Sequence, residues 1–189
     1  MRLRPLFALV LPCALAACAE RPWHGIVLDP ASPAPPLAVR PADGTPFTLA
    51  SAKGTAVVLY FGYTHCPDVC PTTMSDWKRA KQALGADTTG LRFVFVSVDP
   101  GRDTPATASA YARQFDAAFV GTAVTDAELA TIVRDWGIAA YPEGDPRTKD
   151  YTVAHPAHTF VVDAEGRLRL MIPPGVKGEQ IAEDLRRLR

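Results

Sequence analysis

Cysteine is scarce in this sequence, with four in 189 residues, and neither sign of charge is in excess, because 20 lysines and arginines balance 20 aspartates and glutamates. Four cysteines are too few for a disulfide-stapled scaffold. A balanced charge argues against a nucleic-acid binder, which normally carries a basic surplus. The phosphate-binding patterns G-x-x-x-x-G-K and G-x-G-x-x-G are absent from the sequence, which excludes the nucleotide sites built on them. The hydrophobic fraction of 48% predicts a folded domain rather than a disordered chain.

Residues 1–17 have the organisation of an export signal, with two early arginines, a short apolar run and small residues before a cleavage point. The apolar run is too short to span a bilayer. The end of the segment, Leu-Ala-Ala before Cys18, resembles the bacterial lipobox, which predicts cleavage before Cys18 and acylation of its thiol. The alternative is a plain secretory signal with Cys18 as an ordinary thiol. The lipobox interpretation predicts a lipoprotein on the periplasmic side of the bacterial cell envelope, attached to the membrane by its acyl chains.

The chain after the signal divides into a proline-rich segment and a domain. Residues 18–36 favour extended polyproline II structure, which predicts a tether in which His24 is solvated. The domain is predicted over 37–189 and opens with a hairpin turn at Asp43 and Gly44. Short apolar runs then alternate with helical patterns, which predicts an α/β fold with a central mixed β-sheet flanked by helices. Strands are predicted over 57–61, 91–98, 159–162 and 168–171, and helices over 71–84, 105–115, 125–136 and 176–188.

Two cysteines, Cys66 and Cys70, lie where the first buried strand gives way to a helix. The N–H groups and positive dipole at a helix start lower the pKa of a thiol. A separation of four residues in a helix brings both side chains to one face. Thiolates placed in this way can hold a soft metal or close a disulfide, and a purely structural disulfide is the plainer alternative in an exported protein.

Three ordered segments resemble the Sco/SenC copper proteins: FGYTHCPDVCP at 61–71, SVDPGRDT at 97–104 and DYTVAH at 150–155. The resemblance covers about 45–188 and implies a thioredoxin-like fold. It also implies copper bound by Cys66, Cys70 and His155, and a role in assembling the dinuclear copper centre of cytochrome c oxidase. The implied partners are subunit II of that oxidase, or another copper protein of the envelope, and a thiol reductant. Many relatives have an acidic residue just before the histidine, where this chain has Ala154.

The donor set implied by the resemblance suits copper on chemical grounds. Two thiolates and one imidazole form a soft, low-coordinate set that fits Cu(I) and also binds Cu(II). Zinc usually takes a fourth ligand. If Cys13 is removed with the signal and Cys18 is acylated, only Cys66 and Cys70 remain as thiols, and no third cysteine can supply that ligand. An open coordination position also suits delivery, because a ligand of the partner can enter it.

Two function classes remain open from the sequence. The first is a copper metallochaperone using Cys66, Cys70 and His155. The second is a thiol–disulfide oxidoreductase in which Cys66 attacks and Cys70 forms the disulfide with it. A peroxiredoxin fits poorly, because its P-x-x-x-T-x-x-C pattern is not met before Cys66.

For several other side chains the sequence predicts a structural role or exposure to solvent instead of a role in the site. His65 shapes the turn, His158 lies at the surface, and Asp68 adjusts thiol acidity or is simply exposed. In the second segment, Asp99 and Asp103 form turns and a helix cap, and Arg102 is solvated. Residues 141–149 are expected to form a surface loop, and Trp77 and Trp136 to lie in the core.

Overall fold

The computed structural model describes residues 21–148 and 150–188. In chain order the strands are β1 (Ile26–Pro33), β2 (Ala38–Val39), β3 (Phe47–Thr48), β4 (Ala56–Gly62), β5 (Leu91–Ser97), β6 (Val120–Ala123), β7 (Tyr141–Glu143), β8 (Thr152–Ala154), β9 (Thr159–Val162) and β10 (Arg167–Ile172). The α-helices are α1 (Val69–Leu84), α2 (Pro105–Phe115), α3 (Asp126–Trp136) and α4 (Gly178–Arg187). Among these described helices, none combines the length and apolarity that crossing a membrane requires.

Six strands form a mixed sheet in the order β1-β10-β9-β4-β5-β6. Strands β4, β5 and β6 run parallel, whereas β9, β10 and β1 join by antiparallel pairing. The sheet therefore confirms the predicted α/β architecture. The predicted opening hairpin is also present, with β2 and β3 paired through Val39 and Phe47.

The central strand β4 is buried at all seven positions, as expected for a strand covered on both faces. Neighbouring residues of a strand point to opposite faces. Tyr60 packs against Trp77 of α1, and Phe61 packs against Trp136 of α3, with ring centroids 6.2 and 5.2 Å apart. The two tryptophans therefore cover opposite faces of the sheet, which confirms their predicted place in the core.

Capping signals in the sequence mark the helix starts that the structure shows. Thr104 and Thr107 form a capping box at the start of α2, and Thr125 and Glu128 form one at the start of α3. Helix α1 ends at Leu84, just before Gly85, as predicted, but it starts at Val69 rather than 71. Cys70 therefore lies inside the first turn of α1.

The predicted tether is wrong for residues 26–33, which form the edge strand β1. Ile26 pairs with Met171 and Pro33 pairs with Arg167 of β10. Proline is tolerated in an edge strand, where an N–H group need not be donated to a neighbour. His24, expected to be solvated, is half-buried with its ring 3.2 Å from Glu183 of α4. Residues 1–20, including the predicted signal and Cys18, lie outside the described residues.

The segment 141–149 was predicted as a surface loop, and most of its described residues are exposed as expected, but it is not a loop throughout. Its first part, β7, pairs with β8 in a two-stranded hairpin, with Tyr141 opposite Ala154. All three residues of β7 are exposed. The hairpin leads directly into His155 and so fixes the direction from which that side chain enters the site.

Candidate metal centre

Two thiols lie at the carboxyl end of β4, where the chain turns into α1. Cys66 is half-buried and precedes the helix, whereas Cys70 is fully buried in its first turn. Neither is in a disulfide. The backbone N–H of Cys70 donates to Cys66 Sγ over 3.4 Å, which is the stabilisation of an anion expected at a helix start.

The third member of the predicted set, His155, reaches the thiols from the segment after β8. Its Nε2 lies 3.7 Å from Cys70 Sγ. Its Nδ1 lies 3.0 Å from the carbonyl oxygen of Phe61 and 3.1 Å from that of Pro156. Carbonyl oxygens only accept hydrogen bonds, so Nδ1 carries the proton and Nε2 keeps its lone pair towards the thiols. A histidine that binds a metal through one nitrogen normally donates from the other in this way.

The structure thus brings together all three residues that the sequence singled out. The donor atoms of Cys66, Cys70 and His155 all lie within 4.8 Å of one another. The His155 imidazole is oriented even with alanine at position 154, because backbone carbonyls accept a hydrogen bond from its Nδ1. The donor set, two sulfurs and one imidazole nitrogen, fits copper on the chemistry of its atoms.

The two thiols have opposite acidities. A hydrogen bond from the Cys70 thiol is the main cause that lowers the pKa of Cys66 to about 3, and burial opposes it. Hydrogen bonds from the backbone N–H groups of Asp68 and Cys70 act in the same lowering direction. Burial raises the pKa of Cys70. The pair therefore holds its negative charge on Cys66 and its proton on Cys70.

Aromatic side chains that the sequence reasoning missed surround the site. The Tyr60 hydroxyl donates to Cys70 Sγ over 3.5 Å, and burial raises the pKa of Tyr60, which keeps that proton in place. The rings of Tyr60 and Tyr63 meet the His155 ring edge-on, at centroid distances of 5.9 and 5.5 Å. The two tyrosines of the Y-F-G-Y run, just before the cysteine turn, are the sequence feature that could have predicted aromatic rings beside the thiols.

Gly62 is needed for space beside the thiol. A Cβ at this position would lie 2.9 Å from Cys70 Sγ and 2.9 Å from the Phe95 ring. Glycine is therefore required here by the close approach of the Cys70 sulfur, in addition to any role in the exit from the strand.

The prediction that Arg102 is solvated is wrong, since its side chain is 7% exposed. Its Nε donates to Asp99 over 2.6 Å, and its Nη1 donates to the carbonyl of Tyr151 over 2.8 Å. The guanidinium lies 3.6 Å from the centroid of the Tyr151 ring and 5.6 Å from that of Tyr63. Arg102 thereby ties the loop after β5 to the hairpin that carries His155 and to the turn that carries Cys66.

Asp103 makes a second tie to the cysteine turn. Its carboxylate accepts hydrogen bonds from the backbone N–H and hydroxyl of Thr64 and from the hydroxyl of Ser97. The cap of α2 is Thr104, so Asp103 supports the turn instead of capping the helix. His65 also approaches Asp103, with 3.5 Å between Nδ1 and the carboxylate.

Within the described residues, a second group of possible metal ligands contains His65, Asp99 and Asp103. The carboxylates of this group are already engaged by Arg102, Tyr151, Thr64 and Ser97. We therefore assign it a structural role. The Asp68 side chain is exposed, and only the backbone N–H of this residue acts on Cys66.

A family model described as SCO1/SenC matches residues 34–189. The chain belongs to the SCO1/SenC family. A putative copper-binding protein of Stutzerimonas stutzeri is 31% identical over 175 residues, which cover 88% of this chain and 84% of that protein. An SCO2-like protein of Rickettsia conorii is 29% identical over 126 residues, and the match spans 66% of this chain and 62% of that protein.

Solved structures of the SCO1/SenC family have the same fold. Copper-bound ScoI of Bradyrhizobium japonicum superposes with a TM-score of 0.75 at 34% identity, covering 84% of this chain and all of that one (100%). Apo Sco1 of Thermus thermophilus gives a TM-score of 0.81 at 34% identity, covering 90% of this chain and 99% of the other. The predicted thioredoxin-like fold and the predicted family are both confirmed.

Proposed function

We propose that this SCO1/SenC protein binds copper through Cys66, Cys70 and His155 and assists the assembly of the copper centre of cytochrome c oxidase. One observation carries the proposal: the free lone pair of His155 faces the Cys70 sulfur, 3.7 Å away, while the opposite nitrogen is held by carbonyls. A relative of 34% identity is described with copper bound, which supports the choice of metal. Subunit II of the oxidase, or another copper protein of the envelope, is the client we propose.

The three donors have distinct tasks in copper transfer. Cys66 carries the negative charge and is half-buried, so it is the donor that incoming copper and a partner's ligand can reach. Cys70 must release its proton to bind the metal, because burial keeps it protonated otherwise. His155 completes a three-coordinate set, which leaves room for a partner's ligand during transfer.

An anaerobic Cu(I) competition titration of the reduced protein tests this proposal. We expect one copper per chain, and a large loss of affinity in Cys66→Ser, Cys70→Ser and His155→Ala. His158→Ala is the matched control, since His158 lies three residues from the ligand and is outside the cluster. Failure to bind copper, or equal affinity in His155→Ala and His158→Ala, would overturn the proposal.

A second candidate function, thiol–disulfide exchange, is favoured by the asymmetry of the two thiols. The Cys66 thiolate attacks one sulfur of a client disulfide and displaces the other as a thiolate, which takes up a proton. Cys70, deprotonated in turn, then attacks Cys66 Sγ and releases the client's second thiol. The client is reduced by two electrons, this protein leaves with a Cys66–Cys70 disulfide, and a thiol reductant must restore it. His155→Ala separates the functions, because exchange with a model disulfide survives this change and copper binding does not.

We further propose that residues 1–17 are removed and that Cys18 is acylated, which attaches the protein to a membrane of the bacterial envelope. The small residues before Cys18 support this proposal. Mass spectrometry of the protein from the membrane fraction is expected to show diacylglycerol on Cys18. A soluble mature chain with a free Cys18 thiol would contradict it.

A further inference from the structure

The first described residues are held firmly against α4. The carboxylate of Asp184, which is fully buried, accepts hydrogen bonds from the backbone N–H groups of His24 and Gly25 over 3.1 and 2.8 Å. At the end of the helix, Arg187 donates to the carbonyl of Arg21 over 2.8 Å. Its guanidinium also lies 3.8 Å from the centroid of the Trp23 ring. The chain is therefore fixed to the domain from Arg21 onward.

This attachment limits the distance between Cys18 and the domain. Cys18 lies three residues before Arg21, and three residues span at most about 10 Å. A lipid on Cys18 would therefore hold the carboxyl end of α4 close to the headgroups. The long proline tether expected from the sequence would have allowed any orientation, whereas this short connection does not.

The surface at that end of α4 has the chemistry of a membrane contact. We call it the arginine face, and it consists of Arg21, Trp23, Arg186 and Arg187. The three arginines are exposed, and Trp23 is half-buried. Arginine favours anionic headgroups and tryptophan favours the membrane interface.

Within residues 21–188, three acidic side chains near the arginine face are engaged. Glu183 pairs with the His24 ring and Asp87 pairs with Arg186, over 3.2 and 3.4 Å, and Asp184 is buried under the backbone. Both pairs are solvent-exposed to a degree at which ion pairs are weak, so they can give way to phosphate oxygens.

Helix α1 runs between the arginine face and the metal centre, and its length gives their separation. Arg186 donates to the carbonyl of Ala83 in the last turn of α1, whereas Cys70 lies in its first turn. The 13 residues from Cys70 to Ala83 rise about 20 Å along the helix. The two sites therefore lie at opposite ends of α1.

We propose that the arginine face rests on the anionic membrane surface next to the acylated Cys18, so that the metal centre faces away from the bilayer at a height of at most about 20 Å, the length of α1 between the two sites. This inference rests on the proposed lipid attachment and not on the identity of the metal. A client must then present its acceptor site at the same height above the membrane.

The lipid contact itself is tested without the acyl chains. The mature chain from residue 18, carrying Cys18→Ser, is sedimented with vesicles of phosphatidylcholine alone or with added phosphatidylglycerol. We expect binding that depends on phosphatidylglycerol and weakens about 5-fold for each arginine removed in Arg186→Gln and Arg187→Gln. Arg92→Gln and Arg113→Gln are matched controls, because both arginines are exposed and lie outside the arginine face. Copper binding by all four variants checks that they fold.

The orientation is tested with the acylated protein in the same vesicles, using a lipid with a nitroxide on its headgroup. We expect quenching of Trp23 fluorescence, identified by its loss in Trp23→Phe, and no quenching of a dye attached to Cys66. Equal binding to both vesicles, equal losses in the control variants, or quenching at Cys66 would overturn the proposal. Absence of acylation would show separately in the mass of Cys18 and would leave the sedimentation result to decide the lipid contact.

Discussion

Replacing Gly62 with alanine adds one methyl group directly against the Cys70 sulfur. The new Cβ would meet Cys70 Sγ and the Phe95 ring at 2.9 Å and the Tyr60 ring at 3.0 Å, where ordinary contacts begin at 3.4 Å. The backbone of Gly62 does not have a left-handed φ, so the methyl group is the whole perturbation. The sulfur or the rings must move by about 0.5 Å, because the added group lies that much inside an ordinary contact.

Two measurable effects follow from this displacement. Overpacking of a buried site costs about 1–3 kcal/mol of the free energy of unfolding, which lowers the Tm by about 2–10 °C for a domain of this size. Metal sites tolerate ligand displacements of only about 0.2 Å. We therefore expect the affinity for Cu(I) to fall by about 10-fold or more, a loss comparable with that from disturbing the residues that orient a ligand.

Gly25→Ala is the matched control for this prediction. Its Cβ would crowd the Leu170 side chain at 3.0 Å, on the edge of the sheet rather than beside a ligand. Thermal unfolding and an anaerobic Cu(I) titration are measured on both variants. Gly25→Ala is expected to lose stability and to keep its copper affinity. The reasoning is refuted if Gly62→Ala binds copper like the unmodified protein, or if both variants lose affinity equally.

Two further predictions concern the thiols and their support. Because the pKa of Cys66 is lowered to about 3, we expect its alkylation by iodoacetamide to keep nearly the same rate between about pH 5 and pH 8, whereas the rate for an ordinary thiol rises about tenfold per pH unit. The reaction is measured by mass spectrometry, and a steep rise of the rate with pH would contradict the assignment. Arg102→Gln leaves the buried Asp99 carboxylate without its cation, so we expect a loss of about 3 kcal/mol in the free energy of unfolding and a shifted absorption band of bound Cu(II). Arg147→Gln, on the exposed hairpin with a side chain 88% exposed, should change neither quantity, and an unshifted band in Arg102→Gln would leave Arg102 with a role in stability alone.

Local signals explain why much of the fold could be predicted from the sequence. The buried strand β4 is a continuous run of apolar β-formers, and Thr104 and Thr125 mark the helix starts with their own side chains. The positions of Cys66 and Cys70 follow equally from this one strand-to-helix turn. For His155, whose nearest thiol is 85 residues away in sequence, the prediction depended on the family resemblance.

The predictions that were wrong concern partners distant in the chain. Strand β1 was predicted as a tether because its partner, β10, follows about 140 residues later. A proline-rich segment carries no local sequence signal for pairing with so distant a strand. Arg102 looked solvated because charged residues usually are, and its acceptor at Tyr151 is 49 residues away. Local composition carries no information on either contact.

The hydrogen bond from His155 to the Phe61 carbonyl has a consequence for how the site withstands mutation. Its acceptor is a main-chain oxygen of β4, and no substitution at position 61 can delete that atom. The orientation of the imidazole is therefore inherited from the sheet, while an acidic side chain at 154 could be lost by a single codon change. Substitutions in the hairpin before His155 can accordingly alter the surface of the hairpin, while the His155 imidazole keeps its tautomer and its orientation towards the thiols.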